Sequence, residues 1–257
     1  MPHRLLCVTA HPDDESGGFG GALMLAVRAG AETSVLCFTD GQAAHFRGGA
    51  AGGEDLGRLR RAEMGAACAV LGVARCEVLN FPDGALAQQN FLEMVGIVVE
   101  RIRQRRPQVV LTFGGDGGVN LHRDHTVISA VTTMAFHWAG RAEIFPEKDG
   151  LPPCAPQKLY YCSTPFVSVR DQPELTQLAA TVPWSLTLDL GDLAERKLEA
   201  FQKHHTQQGV LTRVGDQVKK AMSVERYLLA ARRGVASVAD DGGMWAGIED
   251  DGAGNRE

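Results

Sequence analysis

Residues His11-Pro12-Asp13-Asp14-Glu15 put one imidazole and three carboxylates on one short stretch. Clustered carboxylates repel each other unless something positive sits among them. A divalent cation is the simplest candidate, and His11 and Asp14 are ligand types that zinc accepts. The plain alternative is an acidic helix entry, with Asp13 or Asp14 as N-cap and Glu15 meeting the helix dipole. A second polar stretch ends in His122-Arg123-Asp124-His125. It also has a plain reading, as the cap region of a following helix with solvated histidines.

Suppose that His11, Asp14 and His125 hold one zinc. Three protein ligands then leave an open position for water, the pattern of a hydrolytic rather than a structural site. The ion would lower the pKa of that water toward about 7. Asp13 cannot easily point the same way as its neighbour Asp14, so it is placed to act as general base. Asp124 is assigned to orienting His122 through a hydrogen bond that favours the imidazolium. A protonated His122 would stabilise the oxyanion of a tetrahedral intermediate and then donate to the leaving amine.

These residues need elements to bring them together. An apolar run precedes the first stretch (Arg4 to Ala10) and another precedes the second (Gln108 to Phe113). Both read as buried strands. Strands and helices alternate along the chain, with Thr33 to Phe38, Cys76 to Asn80 and Lys158 to Cys162 as further strands. That alternation predicts an α/β fold: a Rossmann-like, doubly wound, mostly parallel sheet with helices on both faces. In the order 3-2-1-4-5 plus C-terminal additions, strands one and four flank the crevice where ligands bind. Both polar stretches then meet there. Ser185 to Leu190 suggests an edge strand, and Leu193 to His205 and Val218 to Arg233 read as helices. The loop from Gln42 to Gly53 is long for a compact domain, which predicts a lid or substrate loop.

The 257 residues suit one domain over 1–235, with a Gly- and Asp-rich tail over 236–257 that has little to bury and is expected to be disordered or a flap. The formal charge of −5 argues against nucleic acid or an anionic membrane as partner. Six cysteines without a Cys-x-x-Cys pair read as small hydrophobes of a reducing compartment. The first strand follows Met1 almost at once, leaving no room for a signal peptide, and no apolar run is long enough to span a bilayer. The expectation is a cytoplasmic protein. A homo-oligomer is compatible with these features.

Ala10-His11-Pro12-Asp13-Asp14-Glu15 resembles the opening motif of the PIG-L/LmbE family of zinc-dependent N-acetylglucosaminyl deacetylases. His122-Arg123-Asp124-His125 is similar to that family's His-Pro-Asp-His motif, Arg60 to Glu63 to its Arg-x-x-Glu helix, and Pro82-Asp83-Gly84 to its Pro-Asp-Gly turn. His204-His205-Thr206-Gln207 resembles its His-x-(Ser/Thr)-Gln element. The resemblance implies zinc on His11, Asp14 and His125, Asp13 as base and His122 as acid or electrostatic partner. It implies further that Arg60 and Asp83 reach sugar hydroxyls and that His204 belongs to the substrate site. Arg123 replaces the usual Pro and adds a charge suited to an anionic substrate. Asn120 stands where some members carry a Tyr that helps the oxyanion.

The leading expectation is therefore removal of an N-acetyl group from a small N-acetylglucosaminide, such as a glucosaminyl malate or inositol precursor of a thiol. An amidase of thiol conjugates would use the same site. Iron(II) suits two His and a carboxylate as well as zinc does. A nucleotide-binding oxidoreductase has Gly17-Gly18-Phe19-Gly20-Gly21 in its favour, but Leu23 stands where the third small residue belongs. A non-catalytic metal or sugar binder would not need a base beside the ligands.

Overall fold

The computed structural model describes residues 2–146, 150–162, 183–215, 218–234 and 243–248. In chain order the elements are β1 (Arg4–Thr9), α1 (Asp14–Gly17), α2 (Gly20–Arg28), β2 (Glu32–Thr39), α3 (Gly53–Leu71) and β3 (Arg75–Phe81). They continue with α4 (Phe91–Arg105), β4 (Val109–Phe113), the irregular turn α5 (Gly118–Leu121), α6 (Arg123–Trp138) and β5 (Lys158–Cys162). The last are β6 (Leu186–Asp189), α7 (Leu193–Gln202), α8 (Gln208–Val214), α9 (Val218–Ser223) and β7 (Val224–Arg232).

The sheet has seven strands in the order β3-β2-β1-β4-β5-β7-β6. The first five pair in parallel, and β7 pairs antiparallel with both β5 and β6. This is the doubly wound arrangement that the alternation predicted. The central strands β1, β2 and β4 are buried almost throughout. Helices cover both of their faces, which is why these strands read as unbroken apolar runs. Against them α4 turns Met94, Val95, Val98, Val99 and Ile102 inward. Its start is capped by Asn90, whose side chain accepts the Glu93 N–H at 3.2 Å.

The far side of the sheet departs from expectation. Val218 to Arg233 is not one helix: α9 stops at Ser223 and β7 follows. Glu, Leu, Ala and Arg favour helix only by tenths of a kcal/mol each. Strand pairing on both sides outweighs that, and Glu225, Tyr227 and Leu229 turn inward at a period of two. Glu225 accepts the Gly21 and Ala22 N–H groups at 2.7 and 2.9 Å and the Tyr227 hydroxyl at 2.7 Å. It also pairs with Lys197 of α7 at 2.6 Å, both side chains buried. Glu225→Ala would leave a buried, unpaired ammonium. The expected cost is about 3–5 kcal/mol, read as a lower urea midpoint.

Part of the expected tail packs on the body. Met244 is buried, and Trp245 stacks on His3 with ring centroids 4.8 Å apart. Residues 236–242 and 249–257 lie outside the described residues. Among the described residues, no helix is long and apolar enough to cross a membrane.

Candidate active site

The site gathers at the carboxyl ends of the parallel strands. The turn after β1 brings His11, Asp13 and Asp14, the loop after β4 brings His122, Asp124 and His125, and the turn after β3 brings Asp83. Chain segments more than a hundred residues apart thus meet where the strand order reverses.

Three residues turn donor atoms toward one point, Asp14 with both of its oxygens. His11 Nδ1 lies 3.3 Å from His125 Nε2 and 3.5 Å from Asp14 Oδ2, and His125 Nε2 lies 3.2 Å from Asp14 Oδ1. Ligands about 2.0–2.2 Å from a tetrahedral ion stand roughly 3.3–3.6 Å from one another. The ring tautomers also suit a cation. His125 Nδ1 donates to the carbonyls of Gly118 (2.9 Å) and Gly117 (3.2 Å), which leaves the Nε2 lone pair facing inward. Its ring is held flat against Phe113, with centroids 3.9 Å apart. His11 turns Nε2 toward Asp83 (3.0 Å) and Asp124 (3.4 Å), so its Nδ1 faces the centre. Such outer partners orient metal-bound histidines. The donor set therefore fits a divalent metal.

His11, Asp83 and Asp124 also lie close enough to hold an ion among themselves. Asp124, however, already accepts the Gly84 N–H at 2.7 Å and the Leu86 N–H at 3.3 Å. Asp83 accepts the Ala43 N–H at 3.1 Å. Asp14 Oδ2 likewise accepts the His11 N–H at 2.7 Å, but Asp14 Oδ1 faces the inward His125 Nε2, whereas both Asp124 oxygens take backbone donors, which favours the His11–Asp14–His125 set.

Charge in this pocket is tightly balanced. Burial opposes the His11 imidazolium, but hydrogen bonds to Asp124, Asp14 and Asp83 outweigh it and hold its pKa well above the ordinary value. Burial also opposes the Asp14 carboxylate, yet the charge of His125 and the bonds from His11 and His125 hold it well below. A cation entering here displaces the proton of the His11 imidazolium.

Asp13 sits beside this set and points elsewhere. Its backbone is left-handed, with φ 117° and ψ −25°. Such a conformation costs a non-glycine residue about 1–3 kcal/mol and clusters at functional sites. Burial pushes the Asp13 pKa up to about 6, helped by the charge of Asp14 and opposed by Arg60. Arg60 Nη2 lies 3.2 Å from Asp13 Oδ2. The same guanidinium donates to the Pro12 carbonyl and, through Nη1 at 3.1 Å, to that of Gly41. Gly41 has φ +68°, and a Cβ there would lie 2.0 Å from Arg60 Nη1, so only glycine lets the arginine pass.

Several expected roles change. Asp124 does not orient His122 through its carboxylate. Instead, its backbone N–H donates to His122 Nδ1 at 3.1 Å, and the carboxylate serves His11 and two backbone amides. A nitrogen that accepts a hydrogen bond carries no proton, so this geometry holds His122 neutral rather than as imidazolium. Burial and the charges of His11 and His125 lower its pKa. Arg60 and Asp83, expected on sugar hydroxyls, turn to the protein instead: both Asp83 oxygens and the Arg60 Nη1 and Nη2 have protein partners, while the buried Arg60 Nε has none. Asp83 bridges His11 and the Ala43 amide, and Arg60 is buried.

His204, expected in the substrate site, is fully buried, with Nε2 2.7 Å from Glu15 Oε1. Burial disfavours both charges, but their attraction lowers the Glu15 pKa and raises that of His204. Asn120 is exposed and accepts the His122 N–H at 3.1 Å, and Arg123 is exposed at the start of α6. Sequence reasoning gave Glu15 only the plain role of meeting the helix dipole. Its place in a five-residue polar run was the one signal available.

The loop from Gln42 to Gly53, expected as a lid or substrate loop, is tied to the body, Ala43 to Asp83 at 3.1 Å and the Phe46 carbonyl to Gln207 Nε2 at 3.0 Å. Asp83→Asn is expected to weaken metal affinity about 10–100-fold, read by competition with a chromogenic chelator. The reading as a nucleotide-binding oxidoreductase loses its phosphate site. The helix N–H groups of Gly21 and Ala22 are taken by the buried Glu225 carboxylate.

A family model described as GlcNAc-PI de-N-acetylase, PIG-L, matches residues 6–136. The chain is 32% identical over 177 residues to a mycothiol S-conjugate amidase of Streptomyces coelicolor, spanning 62% of this chain and 60% of that protein. It is 30% identical over 241 residues to a 1D-myo-inositol 2-acetamido-2-deoxy-alpha-D-glucopyranoside deacetylase of Rhodococcus jostii, spanning 79% and 81% respectively. Among solved structures, a 4-carboxy-2-hydroxymuconate hydratase of Pseudomonas putida superposes with a TM-score of 0.69 at 20% identity, covering 92% of this chain and 100% of that one. That likeness is one of fold, and a fold that also carries a hydratase leaves the reaction to the site. With the motif-bearing segment matched and a deacetylase aligned over most of both chains, the protein belongs to the PIG-L de-N-acetylase family.

Proposed function

We propose that the protein removes an N-acetyl group from a small glucosamine-containing substrate, with zinc or iron(II) held by His11, Asp14 and His125. The observation that carries this is the 3.2–3.5 Å spacing between donor atoms of these three residues, beside a carboxylate that points elsewhere. A divalent ion bound there supplies Lewis acidity and makes water a stronger acid. Asp13 takes the proton of the attacking water, since a base with a pKa near neutrality does this best. Arg60 holds that carboxylate in place. Neutral His122 keeps an Nε2–H to donate to the developing oxyanion, its Nδ1 being fixed by the Asp124 amide. Asp124 and Asp83 hold His11 in its ligating tautomer.

For the substrate, similarity to the inositol glycoside deacetylase favours an N-acetylglucosaminide with a small polar aglycone, a thiol precursor in class. Exposed Arg123 suits an acidic aglycone such as malate. Similarity to the S-conjugate amidase keeps cleavage of a thiol conjugate as the second reading.

Metal-stripped protein reloaded with zinc or iron(II) and offered a panel of N-acetylglucosaminides should release acetate from one aglycone class. Turnover of a thiol conjugate alone would select the second reading. Failure to bind either metal would remove the basis for both. Arg123→Ala should lower activity on acidic aglycones and spare neutral ones, and an equal effect on both would assign Arg123 to solvent.

A further inference from the structure

We infer that Glu15 and His204 are positioning residues: a buried strut that ties the C-terminal layer to the turn carrying Asp13. The inference rests on Asp13 being the base, as proposed above. Asp13 keeps a left-handed backbone, and such strain persists only where surrounding contacts over-determine it. Two sets of contacts do so. From one side, Arg60 reaches the Pro12 carbonyl and the Asp13 carboxylate. From the other, the Asp13 N–H donates to Glu15 Oε2 at 3.0 Å.

Glu15 is itself held. Its Oε1 accepts the Ser16 hydroxyl at 2.6 Å and meets His204 Nε2 at 2.7 Å, with both Glu15 and His204 fully buried. His204 lies 189 residues further along the chain, in the turn after α7. That turn is anchored in its own right. The Thr206 N–H and hydroxyl donate to the two oxygens of Glu63 at 2.8 and 2.6 Å. Glu63 rides on α3, the helix that also carries Arg60. Both restraints on Asp13 therefore trace back to α3, one directly and one through Thr206, His204 and Glu15. No substrate atom reaches His204, because it has no exposed surface. Its effect on the reaction runs through the orientation of Asp13, leaving the metal ligands alone.

The test uses full-length, zinc-loaded protein and three variants. His204→Leu removes the strut, His204→Gln keeps an N–H for Glu15, and Glu15→Gln keeps one acceptor oxygen where the strut uses two. His204→Leu and Glu15→Gln are expected to lower kcat about 100-fold, the scale of a small misplacement of a reacting group. KM and zinc affinity should stay within about threefold of wild type, and His204→Gln should recover most of the rate. Backbone amides of residues 11–17 should exchange faster with deuterium in both damaging variants.

A rise in KM at unchanged kcat would make His204 a substrate contact and overturn the inference. So would loss of zinc in step with loss of rate, or unchanged exchange in the turn. If His204→Leu fails to fold, Glu15→Gln carries the same expectations. If wild-type protein turns over no glucosaminide, the proposed reaction fails, and the exchange measurement still decides the strut.

Discussion

Asp13→Asn is expected to lower kcat by about 10²–10⁴-fold while one metal ion per chain stays bound. The asparagine is isosteric but cannot accept the proton of water. The metal-facing atoms belong to His11, Asp14 and His125, which the substitution leaves in place. Arg60 loses an ionic partner and keeps the Pro12 and Gly41 carbonyls, so the turn retains its clamp. The measurement pairs acetate release with metal content. Metal lost together with activity would make Asp13 a ligand and the base some other group.

His125→Ala is expected to abolish both turnover and stoichiometric metal binding. Three residues define the proposed site, and His125 supplies the nitrogen whose lone pair is aimed by two carbonyls and a stacked ring. Gly117 provides one of those carbonyls from φ +90°, and a Cβ there would lie 2.8 Å from the His122 carbonyl. The loop is thus built around the histidine that follows it. A supporting residue is worth about 10–100-fold in metal affinity, and losing a ligand should exceed that.

Thermal unfolding gives a second readout. At free zinc 100 times its Kd, wild-type protein gains about 2.7 kcal/mol, and the variant should gain almost nothing. An equal rise in Tm for both proteins would place the metal elsewhere, with the His11, Asp83 and Asp124 cluster as the next candidate.

Much of the architecture was legible because its signals are local. Buried parallel strands are short apolar runs, and helices between them carry their own periodicity, as the inward face of α4 does. Given alternation and right-handed crossovers, the order 3-2-1-4-5 follows, and with it the meeting of the two polar stretches. Strand β7 was not legible. Its residues favour helix weakly, and the partners that make it a strand, β5 and β6, lie elsewhere in the chain. The period of two at Glu225, Tyr227 and Leu229 was present but lay under helix-forming neighbours.

By itself the sequence determined which residue types reach the crevice, since strand ends and the turns after them carry their side chains with them. His11, Asp13, Asp14, His122, Asp124 and His125 are all there. Only the tertiary structure decided which atoms face one another. Asp124 stands two residues after His122 in sequence, but its carboxylate turns to His11 and to the Gly84 and Leu86 amides. His204 meets Glu15 rather than a substrate, and Asp83 meets His11 rather than a sugar. The physical reason is range. A hydrogen bond is decided over a few tenths of an ångström. Residue spacing along a chain constrains position only to the level of a turn or a strand end.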